Sequence, residues 1–148
     1  AEGEKVAEYH DYQRDLDANV LAEMYQSARE ASERFAAEEG CTVEWSRIWN
    51  IEPVKFHPRL VDFCEAATKE VAGTTLRLPS GPLHDAAEVS RSGIPSVMMF
   101  VQSLKGISHN KIEDTLEEHL EMAIEAMDKL AEKTAEWILH RVQANEEM

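Results

Sequence analysis

The chain has 148 residues, with 15 Lys and Arg against 29 Asp and Glu, so its formal charge is −14. That balance excludes a nucleic-acid or anionic-membrane partner, because a polyanion repels a surface with no basic stripe of its own. With 43% hydrophobic and 30% charged residues the chain has material for a core, which excludes an acidic disordered tail.

The opening, Val6 to Arg14, alternates in charge and reads as a short strand, with Val6, Glu8, His10 and Tyr12 on one side. Helical spacing begins at Leu16. Val20, Met24, Ala28, Ala31 and Phe35 follow at three- and four-residue steps, after an Asp15 or Asp17 N-cap and before a Gly40 stop. Val43, Trp45, Arg47, Trp49 and Ile51 then alternate with Glu44, Ser46, Ile48 and Asn50, the period of a strand ended by Pro53. Trp45 and Trp49 fall on one face of that strand.

A change of domain is expected near Pro53 to Pro58. His57 and Pro58 open a second helix, whose apolar face is Leu60, Val61, Cys64, Ala67 and Val71 and whose stop is Gly73. Thr74 to Leu78 leads into the turn cluster Pro79-Ser80-Gly81-Pro82, followed by a short helix from Asp85 to Ser92. Ser96 to Val101 is a continuous apolar run, expected as a strand buried on both faces of a mostly parallel sheet. The polar loop from Gln102 to Asp114 joins it to a long final helix, with a buried stripe expected through Leu116, Leu120, Ala123, Ile124, Met127, Leu130, Ala131, Thr134 and Ile138. Glu113, Asp114, Glu117 and Glu118 crowd its start, where the helix dipole favours acids.

The alternation of strands and helices points to α/β packing in two units. No apolar run approaches the ~18 residues of a membrane helix, and AEGEKVAEYH has neither region of a signal peptide, so the expected compartment is the cytoplasm. Cys41 and Cys64 are too few for a disulfide framework and read as free thiols. A chain that starts at Ala1 is expected to be a processed or cut piece.

Two segments place a histidine in a loop at a strand end: Pro79 to Ala86, with His84, and Lys105 to Asn110, with His109. In open α/β sheets ligands sit at such crevices, where helix N-termini and loop amides converge. On local facts alone each reads first as a surface-loop histidine or a cap, since such histidines outnumber ligands in ordinary domains. Asp85 reads as a helix cap or as a group that orients a neighbour. His10, His57, His119 and His140 read as solvated or capping residues, and Met98 and Met99 as core filling.

The run SGPLHDAAEVSRSGIPSVMMFVQSLKGISHNKIEDT resembles the C-terminal catalytic segment of the zinc-dependent amidase, hydantoinase and carbamoylase family. That family stands with the M20 metallopeptidases and includes N-carbamoyl-amino-acid hydrolases, β-ureidopropionase-type enzymes and allantoate amidohydrolases; its usual forms here are SGAGHDA and GISH. Asp11-Tyr12-Gln13-Arg14-Asp15 resembles the Asp-x-Arg strand end of the family's lid and dimerisation domain. The resemblance implies an α/β fold, with residues 1–55 part of the lid domain as β-α-β and residues 56–148 the C-terminal part of an α/β/α catalytic domain.

By the same resemblance, His109 is a ligand in a site of two ions (zinc, or manganese or cobalt), His84 contacts the scissile or carbamoyl end of the substrate, and Arg14 grips its carboxylate. Neutral imidazole suits zinc, and a guanidinium pairs with a carboxylate through two parallel hydrogen bonds. The implied partners are a small ureido or carbamoyl substrate and a second subunit in a homodimer. The family's general base and remaining ligands lie upstream of the matched region, so no catalytic base is expected within this chain, which is expected to be inactive alone. Pro82-Leu83 stands where the family has Ala-Gly, which implies a bulkier approach to the substrate. The alternative is a non-catalytic binding or assembly module that keeps the family's shape without metal and uses Trp45 and Trp49 as a contact surface.

Overall fold

In the computed structural model, which describes residues 7–146, the first element is helix α1, Ala18–Glu39. Its N-cap is Asp17, whose carboxylate accepts the Asn19 N–H at 2.8 Å. Asp15 plays a different part, accepting the Asp17 N–H at 2.8 Å in the turn before the helix. The helix ends where Gly40 adopts φ 65°, so that the Gly40 and Cys41 N–H groups both reach the Ala36 carbonyl. Only glycine takes that left-handed turn without a steric cost.

The chain divides into two units, Ala1–Val54 and Lys55–Met148. In the first, α1 has no buried residue. Its packing partner is the segment carrying Trp45, which is half-buried and donates from its indole N–H to the Ser32 hydroxyl at 2.8 Å. The Trp45 ring meets Tyr25 edge-on, with centroids 5.6 Å apart, and the Arg47 guanidinium lies 4.1 Å from the Tyr25 ring centre.

The second unit is organised by two helices, α2, Pro58–Ala72, and α4, Glu117–Glu146. Between them lies α3, Asp85–Arg91, and a single 3-10 turn, Leu104–Gly106, precedes α4. Pro58 opens α2, where its missing N–H has no helical partner to lose, and Gly73 at φ 73° closes it. The expected face of α2 is the packed one: Leu60, Cys64 and Ala67 are buried, and Val61 and Val71 half-buried. Cys64, Ala67 and Leu130 form the core, flanked by Phe63, Val97 and Met99. Burial pushes the Cys64 thiol above its ordinary range, against a smaller opposing effect of its hydrogen bond with Thr68. Lys129 donates to Glu70 at 2.7 Å and Lys133 lies 3.6 Å from the same carboxylate, which ties α4 to α2 at the rim.

Four expectations are corrected. Among the described residues no strand ladder forms: the segments from 7 to 14, 43 to 51, 74 to 78 and 96 to 101 run without regular secondary structure, and Val6 lies outside the described residues. The Ser96 carbonyl accepts the His57 N–H at 3.1 Å, but a single backbone bond does not make a ladder. Ser96 to Val101 is not buried on both sides, since Val97 and Met99 pack on the core while Phe100 is 51% exposed. Met98, of the opposite parity, is half-buried, and the Phe100 ring meets His84 at the start of α3.

The buried stripe of α4 is also displaced from its expected line. Ala126 and Leu130 are buried, with His119, Met122, Ala123, Lys133, Thr134 and Trp137 half-buried beside them. Leu120, Ile124, Met127 and Ile138 are exposed. Lastly, Trp45 and Trp49 do not share a face, because Trp45 is packed against α1 while Trp49 is 75% exposed. No helix among the described residues is long and apolar enough to cross a membrane.

Candidate functional site

The loop from 79 to 86 is shaped by its own side chains: the Ser80 hydroxyl donates to the Pro82 carbonyl at 2.8 Å. His84 is the N-cap residue of α3, in extended backbone geometry, and its side chain makes no capping bond. Its carbonyl accepts the Ala87 N–H at 2.9 Å. The imidazole is half-buried and meets the Phe100 ring at 6.3 Å between centroids. Asp85 lies in the first turn of α3, where the dipole favours an acid, and is neither the N-cap residue nor a hydrogen-bond partner of His84. Pro82 and Leu83, which replace the smaller residues of the resembled motif, are exposed.

Phe100 links the two histidine loops. The segment that ends at Val101 continues directly into the loop that carries His109, which is clasped at its base by the Leu104 N–H donating to the Asp114 carbonyl at 2.7 Å. Inside it Lys105 at φ 58° and His109 at φ 53° take left-handed backbone conformations. The His109 N–H donates to the Glu113 carboxylate at 2.7 Å, the Ile112 N–H to the Asn110 side chain at 3.2 Å, and the Glu113 N–H to the Asn110 carbonyl at 2.9 Å. The His109 side chain is exposed. The His84 ring thus packs near the end of the Ser96–Val101 segment from which the His109 loop departs.

Arg14 belongs to the first unit and is exposed. It forms no ion pair with Asp11 or Asp15, which are occupied elsewhere: Asp11 accepts from the Gln13 amide at 2.7 Å and Asp15 from the Asp17 N–H. Sequence reasoning placed Glu113 among the acids at a helix start and so missed its contact with His109. The signal available was only its four-residue spacing from the histidine.

An exposed imidazole with no protein group at its ring nitrogens suits a metal as one donor. Among the described residues no group of three or more His, Cys, Asp or Glu side chains comes together to hold an ion. Among the described residues His109 is thus a lone exposed imidazole and not part of a complete metal site. A separate apolar cleft of about 280 Å³, with Thr68, Met99, Phe100, His119 and Met122 among its lining residues, opens between α2 and α4.

Comparison with known proteins gives a consistent result. Residues 3–133 match the family described as Peptidase family M20/M25/M40. N-carbamoyl-L-amino-acid amidohydrolase of Rhizobium meliloti is 29% identical over 97 residues, 66% of this chain and 23% of that protein. N-carbamoyl-L-amino acid amidohydrolase of Geobacillus stearothermophilus is 27% identical over 114 residues, 77% of this chain and 28% of that protein. The chain thus spans roughly a quarter of the length of the curated relatives it matches. The crystal structure of an amidase of the hydantoinase/carbamoylase family from Burkholderia multivorans superposes with a TM-score of 0.73 at 31% identity, covering 80% of this chain and 29% of that one. With a match over most of its length and the SGPLHDA and GISH segments inside it, the chain belongs to the peptidase M20/M25/M40 family.

Proposed function

We propose that the chain contributes to a metal-dependent amidohydrolase that cleaves linear amides, N-carbamoyl amino acids or related ureido acids, as the C-terminal portion of that enzyme. The observation that carries this reading is the contact of the His84 ring with Phe100, near the end of the segment that leads into the His109 loop, in a chain similar to two N-carbamoyl-L-amino-acid amidohydrolases. The enzyme reads as a cytoplasmic homodimer. Residues 1–55 belong to its lid and dimerisation domain and residues 56–148 to its catalytic domain, where the missing strand partners restore an α/β sheet.

His109 supplies one ligand to a site for two ions, zinc or manganese or cobalt. When bound, such ions polarise the scissile carbonyl and lower the pKa of a coordinated water. His84, held against Phe100 at the mouth of the 79–86 loop, donates a hydrogen bond to the carbamoyl or scissile oxygen and so orients it. Arg14 grips the substrate carboxylate through a bidentate pair, and its lack of an ion pair with Asp11 or Asp15 leaves the guanidinium available. The general base lies outside this chain.

The test is to express the whole reading frame that contains these codons, load it with zinc or manganese, and assay ureido acids. Hydrolysis together with bound metal, both reduced in His109→Ala, is the expected result. Full metal content and turnover in His109→Ala would remove the ligand assignment, and a folded, metal-free, inactive protein would favour an assembly module instead.

A further inference from the structure

Left-handed backbone at a residue with a Cβ is disfavoured by contact of that Cβ with the neighbouring carbonyl, and it persists only where surrounding bonds hold it. His109 has φ 53°. The loop's other bonds act elsewhere: Leu104 to Asp114 closes the base, and Asn110 receives the N–H groups of Ile112 and Glu113. Among the described residues, the bond that reaches His109 itself is the 2.7 Å contact from its N–H to the Glu113 carboxylate. Hydrogen bonds to an ionised acceptor are the stronger kind, and this one stands on the peptide whose rotation sets the histidine's φ.

We propose that Glu113 is the positioning residue for His109: by holding the His109 N–H it fixes the left-handed turn that presents the imidazole outside the loop. The reading rests on the assignment of His109 as a metal donor. The imidazole itself is exposed, so the backbone, and not packing, sets the direction of the Cα–Cβ bond that carries it. A donor with no side-chain support is placed to within the tolerance of a metal site only when its backbone is fixed. Relaxation of His109 to negative φ would swing the Cα–Cβ bond and carry the imidazole away from its place.

The contact can be tested on the 148-residue chain itself, without metal, by nuclear magnetic resonance. The wild-type chain is expected to show the strong Hα-to-amide cross-peak of a positive-φ residue at His109. In Glu113→Ala that signature is lost and amide exchange at His109 quickens roughly tenfold or more, as expected for loss of a bond to a charged acceptor. Glu113→Gln, whose side-chain carbonyl reaches as far, retains the signature. The Leu104 amide, bonded to the Asp114 carbonyl, stays protected in both variants.

Retention of the His109 signature in Glu113→Ala would overturn the proposal. So would simultaneous loss of Leu104 protection, since Glu113 would then be closing the loop and not acting on His109. The two readings separate cleanly. Metal content that survives His109→Ala in the whole reading frame defeats the donor assignment, whereas an unchanged His109 signature in Glu113→Ala defeats the positioning role alone.

Discussion

Arg14 shows how a side chain with no ion pair among the described residues becomes informative at the scale of a residue. Surface arginines near aspartates commonly pair with them for little gain, yet Asp11 and Asp15 are engaged by Gln13 and Asp17 and leave Arg14 exposed. If Arg14 binds a substrate carboxylate, Arg14→Lys keeps the charge and loses the two-pronged geometry. In the whole enzyme kcat/KM for a carboxylate substrate is expected to fall at least about tenfold, equivalent to ~1.4 kcal/mol. Amide analogues without the carboxylate should show no such loss. Steady-state kinetics on the pair of substrates decides it, and equal values for wild type and variant would remove Arg14 from the site.

Between elements, the α2–α4 contact carries the second unit, and Ala67, with no exposed surface, shows how closely the helices approach. Leu130 is 7% exposed, and Leu130→Ala would leave a cavity beside Cys64 and Ala67, at a cost of about 2–5 kcal/mol. Urea unfolding measures the loss. Alkylation reports it locally, because Cys64 is buried with a raised thiol pKa while Cys41 is exposed, so Cys64 should react slowly in the wild-type chain and faster in the variant.

The rim pair adds a pH dependence. Its hydrogen bond with Lys129, and then that cation's charge, hold the Glu70 carboxyl below its ordinary 4.5, and the same contact raises Lys129. A carboxyl lowered in the folded state contributes stability above its unfolded pKa, and that contribution disappears as pH falls through the folded value. The Tm difference between wild type and Glu70→Gln should therefore be small but present at pH 7 and vanish at acid pH. A difference that persists in strong acid would contradict the pairing.

Helices were legible in the sequence because their caps and spacing are local: Asp17, Gly40, Pro58 and Gly73 stand where expected. The facing of α4 was harder to read, since it carries two apolar stripes. One runs through Ala126 and Leu130, and another, about 100° around the helix, runs through Leu120, Ile124 and Ile138. Periodicity alone cannot tell which one meets α2. The alternating patterns did not become strands among the described residues, because a ladder depends on residues distant in sequence. His84 and His109 were recognisable through their motifs, whereas the Glu113 contact is made by a left-handed turn that no spacing rule announces.

At the scale of the whole molecule, the balance of covered and open apolar surface sets the solution behaviour. In the second unit alone, Leu76, Ile94, Ile112, Ile124 and Leu139 are each more than half exposed, and the Thr74–Leu78 and Ser96–Val101 segments have no strand partner among the described residues. Unpaired backbone edges and contiguous apolar patches are both templates for association. The net charge of −14 opposes it, but salt screens that repulsion beyond ~8 Å at physiological ionic strength, while the contacts themselves are made at shorter range. The isolated chain is therefore expected to associate in a concentration-dependent way by sedimentation velocity, more so as salt is raised. Leu120→Glu with Ile124→Glu, on the outer face of α4 and away from the Cys64–Leu130 core, should shift the distribution toward smaller species without changing helix content. A sharp, concentration-independent monomer for the wild-type chain would show that the exposed α4 stripe and the unpaired segments are not sufficient to drive assembly.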